Sequence, residues 1–237
     1  MTNKRFATYY VAILIILIVG VAFFSWIGSM FGQPIESILS AKGLRWILSS
    51  FIDNSLRSDI LGYILVGLFA YDTLVESEIL RDMGAFMFPR HIHRTLSLKR
   101  RRALILTHAM LLLYIVCVAA SILFPHAIFL SVNGTIEDSA FSKGLFGIIA
   151  FAIFVSGLIY GLSIGRYRSG ADIIESATVT IHRNAYYFII YFLASQLISL
   201  TLHVGLYDMI PITDEAKDVV IKLLYLYPLA RLIVKRR

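Results

Sequence analysis

Apolar residues run in long unbroken blocks along this chain, and the charges collect between the blocks. Four stretches contain no Asp, Glu, Lys or Arg: Phe6–Ile35, Ala103–Ile136, Gly144–Gly165 and Asn184–Tyr207. A helix needs about 20 apolar residues to cross the hydrocarbon of a bilayer. Each block meets that need, which predicts spans near 8–30, 103–124, 144–165 and 185–206. Pro125 ends the second, because it removes a donor and forces the residue before it toward extended backbone. Two shorter blocks predict marginal spans near 60–80 and 219–234. Ile60–Tyr71 is apolar before Asp72 and Glu76 intervene, and Leu223–Ala230 lies between Lys222 and Arg231.

Two other stretches have helical periodicity without the length to cross. In residues 44–57, Leu44, Ile47, Leu48, Phe51 and Ile52 share one face, while Arg45, Ser49, Ser50, Asp53, Asn54 and Arg57 fall elsewhere. That is the pattern of an amphipathic helix lying in the membrane interface. Gly43 and Pro34 predict a bent approach to it. The stretch Gly170–Arg183 opens with Asp172 and, three residues later, Glu175, a helix-start signature.

Composition turns these elements into a fold class. Hydrophobic residues make up 58% of the 237-residue chain, charged residues 16%, and mean hydropathy is +0.78. A soluble domain carries about 45–50% apolar and about 25% charged residues. The balance excludes a disordered chain, a coiled coil, a nucleic-acid-binding domain and nearly all soluble enzymes. The expected class is all-α: a polytopic integral membrane protein, one membrane domain over residues 1–237, with about six transmembrane segments plus the interfacial amphipathic helix. The charge-free Phe6–Ile35 block is too long for a signal-peptide core of roughly 7–15 residues and reads as a retained first span.

The net charge of +7 is unevenly placed. Lys4 and Arg5 precede the first span. Arg81, Arg90, Arg94, Lys99, Arg100, Arg101 and Arg102 lie before the span near 103–124. Arg166, Arg168 and Arg183 follow the span near 144–165, and Lys235, Arg236 and Arg237 close the chain. Less basic loops alternate with these, at Glu137, Asp138 and Lys143 and at Asp208, Asp214, Glu215, Lys217 and Asp218. Under the positive-inside rule this alternation fits six crossings of the plasma (inner) membrane with both termini cytoplasmic. Arg94, Lys99, Arg100, Arg101 and Arg102 are expected at lipid headgroups, so the partners are membrane lipids and not nucleic acid.

Candidate chemistry is sparse. There is no Walker A loop, GxGxxG, HExxH, CxxC or GxSxG, so neither an enzyme nor a cofactor is implied. His91 and His93 form an HxH without a third metal ligand at a suitable spacing. Asn133-Gly134-Thr135 reads either as a turn or as a glycosylation acceptor. Cys117, the single cysteine, reads as a small packing residue. Gly157, Gly161 and Gly165, four residues apart, predict close helix packing within the chain or a dimer seam. Ser195, Gln196, Ser199 and His203 place polar groups along one span, either as a substrate or ion path or as interhelical hydrogen bonds. Asp72 and Glu76 share a face one turn apart, where Arg81 and Arg90 could neutralise them.

Three segments carry a family resemblance. Residues 39–83, LSAKGLRWILSSFIDNSLRSDILGYILVGLFAYDTLVESEILRDM, pass from a GL-W segment into a Gly-containing span that ends in acidic residues. Residues 138–176, DSAFSKGLFGIIAFAIFVSGLIYGLSIGRYRSGADIIES, resemble an SPF turn, a span closing on a YGI-type glycine sequence and a D-(V/L)-I helix. Residues 186–200, YYFIIYFLASQLISL, resemble an AQF span. In this order they resemble the p-aminobenzoyl-glutamate transporters, the AbgT family, shortened and without the hairpin and substrate-site regions. The resemblance implies a dimeric, cation-coupled carrier with two membrane hairpins and broken helices around its substrate. Here the Arg90–Arg102 loop stands where the family has its first hairpin, and LHVGLYD at 202–208 replaces its NW(S/T)N sequence. No substrate-contacting residue carries over.

Two functional expectations follow. The first is a minimal AbgT-like scaffold with an accessory or structural role, as a homodimer or with a partner membrane protein. No Gly- or Pro-interrupted pair of spans is visible to build a midplane site. The alternative is a compact secondary transporter or channel for a p-aminobenzoyl-glutamate-like anion or a sulfonamide-like compound.

Overall fold

The computed structural model describes residues 3–87, 96–123, 129–130, 135–209 and 213–234, apart from the side chains of residues 3, 4, 6 and 229–234. These residues form α1 (Asn3–Met30), α2 (Ala41–Ser50), α3 (Asp53–Leu56), α4 (Ile60–Glu76), α5 (Ile79–Met87), α6 (Leu98–Leu123), α7 (Ala140–Ile164), α8 (Gly170–Ala177), α9 (Val179–Asn184), α10 (Tyr186–Val204) and α11 (Asp214–Val234). No strand occurs among the described residues. The protein is all-α, as its apolar blocks require.

Four helices, α1 from Ala7, α6, α7 and α10, are long and apolar enough to cross a membrane. The α4–α5 pair makes a fifth if it is counted as one span, and that pair is bent by 58°. The expected sixth segment forms as α11, but Asp214, Glu215, Lys217, Asp218 and Lys222 load its first half with charge. Apolar side chains such as Ile16 on α1 and Leu112 on α6 stand exposed, the surface a multi-pass membrane protein offers to lipid. Cys117 is exposed on α6 as well, not packed.

The chain divides into two compact units, one of Met1–Gly62 with Arg183–Arg237 and one of Tyr63–His182. In the first unit α1 and α11 pack along α10, and α3 seats on it too. Its core is Ile35, Ile38, Leu200 and Val204, with Trp46 and Ile47 against them. The connector after α1 doubles back: the Ile38 N–H donates to the fully buried Ser25 Oγ at 3.1 Å, and the Glu36 N–H donates to the Val204 carbonyl at 3.3 Å. Ser40 caps α2 by accepting from the Gly43 N–H at 3.1 Å. The amphipathic stretch then turns at Phe51–Ile52 into α3, and Leu44, Leu48, Phe51 and Ile52 remain exposed.

In the second unit α6 and α7 pack side by side and α5 lies against both. The core holds Ile79, Ala103, Leu104 and the fully buried Tyr160. The basic residues 99–102 are not in a loop: they form the first turn of α6. Ser139 caps α7 at one end, and Gly165 closes the other in the left-handed region at φ 82°. The Arg166 N–H then donates to the Gly161 carbonyl at 2.8 Å, a Schellman-type stop. At α8 the expected start moves by one turn. Ser169 is the N-cap and Asp172 the third helical residue of a full capping box, in which the Asp172 carboxylate accepts from the Ser169 N–H at 3.0 Å.

Candidate functional site

The polar stripe of α10 is built by four-residue spacing, which stacks side chains on one face. Ser195 donates to the Phe192 carbonyl at 2.7 Å and lies 3.2 Å from Ser55 Oγ. Gln196 donates to the Phe51 carbonyl at 2.7 Å and to Ser55 Oγ at 3.1 Å, and its own carbonyl accepts from Asn54 at 3.2 Å. Tyr191 adds a bond to the Ser55 carbonyl at 3.2 Å. Ser199 lies 3.3 Å from the Tyr225 hydroxyl of α11, and both are buried. The stripe's lower half therefore receives the α2–α3 turn, and Ser199 receives α11. The sequence announces the stripe; its partners, Asn54 and Ser55, carry no periodic signal.

His203 ends the stripe differently. Its ring stacks on Trp46 at a centroid distance of 3.9 Å and an interplanar angle of 7°. Its Nε2 is 3.5 Å from a Glu36 carboxylate oxygen, and Lys42 reaches the other oxygen of that carboxylate at 2.6 Å. The hydrogen bond from Lys42 holds the Glu36 carboxyl below its usual range, with the Lys42 and His203 charges adding to it against some desolvation. Trp46, Glu36 and Lys42 together clamp the end of α10 to the connector and α2.

The three glycines do three different things within the second unit. At Gly157 a β-carbon would stand 2.8 Å from the Leu74 nitrogen and the Thr73 oxygen, so α7 meets the backbone of α4 there. At Gly161 the space is filled by the Tyr167 ring, whose hydroxyl donates to the Thr73 carbonyl at 3.0 Å. Burial pushes the Tyr167 phenol up from its ordinary value. Gly165 is the left-handed helix stop. Close approach inside the chain accounts for Gly157 and Gly161.

The second unit also holds a charged cluster at the break between α4 and α5. Ser77 donates to the Leu74 carbonyl at 2.7 Å, and its oxygen accepts from the Ile79 N–H at 3.3 Å. Glu78 then adopts φ 67°, a conformation that L-residues with a side chain seldom take. Its carboxylate pairs with Arg81 and, at 2.8 Å, with Arg100. Arg100 also meets the fully buried Asp82 at 2.5 Å, and Tyr160 donates to the same Asp82 oxygen at 2.5 Å. Glu76 pairs with Arg166 at 3.7 Å. Asp72, also fully buried, accepts from the Thr180 N–H at 2.7 Å and the Thr180 hydroxyl at 2.6 Å.

This cluster revises one reading of the sequence and extends another. Asp72 bonds to Thr180 of α9 and Glu76 pairs with Arg166, while Arg90, expected beside them, lies outside the described residues. Arg100 was expected at lipid headgroups; it is turned inward, because a buried carboxylate needs a charge and hydrogen bonds beside it. A signal existed: Asp82 stands among Leu80, Met83 and Ala85, an acid in apolar company. Lys99 donates to the Ile164 carbonyl at 2.8 Å and so caps α7. Arg101 lies over the Phe86 ring at 5.9 Å, and both Arg101 and Arg102 are exposed. Arg94, the His91–His93 pair, Arg90, Pro125, and Asn133 with Gly134 lie outside the described residues.

Comparison with known proteins agrees with this all-helical membrane architecture. No curated protein and no solved structure matches the chain. A model of the AbgT putative transporter family matches residues 87–219, more than half of the chain. The match takes in the two later resembling segments, 138–176 and 186–200, and begins after the first. Helices α6 to α10, with the glycine ladder, the capping box and the polar stripe, all lie inside it. The chain belongs to the AbgT putative transporter family.

Proposed function

We propose that this protein is a membrane carrier and that the broken span α4–α5 is its working element. One observation carries the reading: a span interrupted at Ser77–Glu78, with the buried Asp82 held at the break by Arg100 and Tyr160. Carriers of many folds build their sites from discontinuous helices, and ionisable groups inside a membrane mark pathways by default. The sequence conceals this break because neither Gly nor Pro makes it. Family membership supports the same class of function. The cargo we propose is a p-aminobenzoyl-glutamate-like anion or a sulfonamide-like compound.

A second reading has its own supporting observation. Ser195, Gln196 and Ser199 are bound to groups of the same chain, which favours a packing role for α10 and an accessory, structural part in a dimer or larger membrane complex. Liposome flux separates the two. Purified protein is reconstituted, and uptake of labelled p-aminobenzoyl-glutamate is followed under an imposed cation or proton gradient. Gradient-driven uptake that Asp82→Asn reduces about tenfold or more, while Ser199→Ala retains most of it, supports the carrier reading. Absence of uptake of both p-aminobenzoyl-glutamate and a sulfonamide by folded protein overturns it in favour of the scaffold. Uptake that is unaffected by Asp82→Asn removes the broken span from the mechanism.

A further inference from the structure

The second unit carries a cavity of about 530 Å³ that has no part in the charged cluster. It lies between α5, α6 and α7, with Leu80, Met83, Leu111, Ile115, Ile149 and Ile153 among its walls. Leu80, Ile115 and Ile149 are exposed, so it is a groove open on the unit's surface. Polar groups occur along it, yet backbone carbonyls of α6 or α7 engage the hydroxyls and one nitrogen of His108. Thr107 donates to Ala103 at 2.9 Å, Ser156 to Ala152 at 2.7 Å and Tyr114 to Ile148 at 3.1 Å, and His108 Nδ1 sits 2.7 Å from the Leu104 carbonyl. Apart from the second ring nitrogen of His108, an occupant meets a wall that is almost entirely hydrocarbon. Along α6 the groove runs from Thr107 to Ile122, about 22 Å at 1.5 Å per residue. That exceeds one leaflet of a hydrocarbon core about 30 Å thick.

Charge is concentrated beyond one end. Arg101 falls on the same face of α6 as His108 and Ile115, two turns before the groove begins to open. In the first turn of α6, Arg100 is neutralised by Glu78 and Asp82; Arg81 of α5 pairs with Glu78. Lys99, Arg101 and Arg102 have no carboxylate partner among the described residues. A long apolar trough with uncompensated cations at its head is complementary to one kind of molecule, an acyl chain that carries an anionic headgroup. We propose that this groove is a specific site for an anionic phospholipid, with its chain along α6 and its phosphate at Arg101 and Arg102. The site is independent of the transport reading.

The test uses the full-length protein in nanodiscs of phosphatidylcholine with one quarter phosphatidylglycerol. Native mass spectrometry reads the lipid retained after gentle activation. One retained phosphatidylglycerol is expected, and Arg101→Gln with Arg102→Gln should weaken it about 25-fold, at roughly fivefold per cation near a membrane surface. Arg45→Gln, an exposed cation on α2, should leave it unchanged. A diazirine-bearing phosphatidylglycerol acyl chain should crosslink to groove residues and be competed by unlabelled phosphatidylglycerol but not by phosphatidylcholine. Equal loss with Arg45→Gln, no loss with the double variant, or equal competition by phosphatidylcholine overturns the assignment. Crosslinks spread evenly over the exposed faces of α1 and α6 would also overturn it, since they would mean headgroup attraction without a groove.

Discussion

The crossing of α7 over α4 gives the sharpest mechanical test. Replacing Gly157 with Ala places a methyl group 2.8 Å from the Leu74 nitrogen and the Thr73 oxygen, both backbone atoms that no rotamer change can move. Overpacking of this kind costs about 1–3 kcal/mol, while the better helix propensity of Ala returns about 0.8–1.0 kcal/mol. The net expectation is a loss of up to about 2 kcal/mol for the second unit. Gly147 lies on the same helix, and a β-carbon there meets nothing within 4 Å. Its change to Ala should therefore keep the propensity gain of up to about 1 kcal/mol. Thermal unfolding in one detergent, read by loss of the monodisperse chromatographic peak, should move the two variants in opposite directions. At about 2–4 °C per kcal/mol for a chain of this size, the separation is several degrees. If the two substitutions shift the midpoint alike, backbone contact at Gly157 is not what holds the crossing.

Three further outcomes are expected. Arg100→Gln removes the guanidinium 2.5 Å from the fully buried Asp82 and should destabilise the second unit by about 3–5 kcal/mol, seen as a large fall in the same unfolding midpoint. Asp172 is held below the usual carboxylate range, first by the Arg168 N–H and then by the Ser169 N–H. A lowered folded-state value means that its stabilisation is full above the ordinary carboxylate range and is lost as pH falls through the lowered value. Exchange rates of the α8 amides, corrected for intrinsic pH dependence, should rise across that acid window in the wild type and show no such step in Asp172→Asn. For topology, in a Cys117→Ser background, a cysteine at Asp138 should react with an impermeant maleimide from outside and one at Ser97 should not. The reverse labelling would invert the orientation expected from the positive-inside rule.

What was legible in the sequence was what hydrophobicity writes along one helix at a time. The blocks became α1, α6, α7 and α10 because each contains enough uninterrupted apolar residues to hide its backbone from lipid. The four-residue spacings at Gly157 and at Ser195 were visible for the same reason, since they are properties of one helix. What each spacing meets was not visible. Gly157 faces a backbone and Gly161 an aromatic ring, and Gly165 ends a helix, although the three look identical in the text of the chain. Asn54 and Ser55 reach α10 because the amphipathic helix turns at Phe51, a turn that no Gly or Pro marks. The basic run at 99–102 read as a loop because cations at a helix N-terminus oppose the macrodipole, and its acidic partners lie some twenty residues earlier.

Those partners explain why the break in the fifth span and the first turn of α6 belong to one arrangement. A left-handed Glu78 is unfavourable by about 1–2 kcal/mol for its backbone alone. Asp82 is fully buried, and four consecutive basic residues crowd the positive end of α6. Each is a local fault, and Arg100 ties all three together by meeting Glu78 and Asp82 at once. Glu78 can hold its strained backbone because that backbone aims the carboxylate at two guanidinium groups. Arg100 and Tyr160 both hydrogen-bond one oxygen of Asp82, and α6 starts where it does because its cations have acids to face. Straightening the span would restore a continuous helix but strand these charges. The break is thus fixed by tertiary electrostatics, and any movement of α5 must exchange the partners of Arg100 as it proceeds.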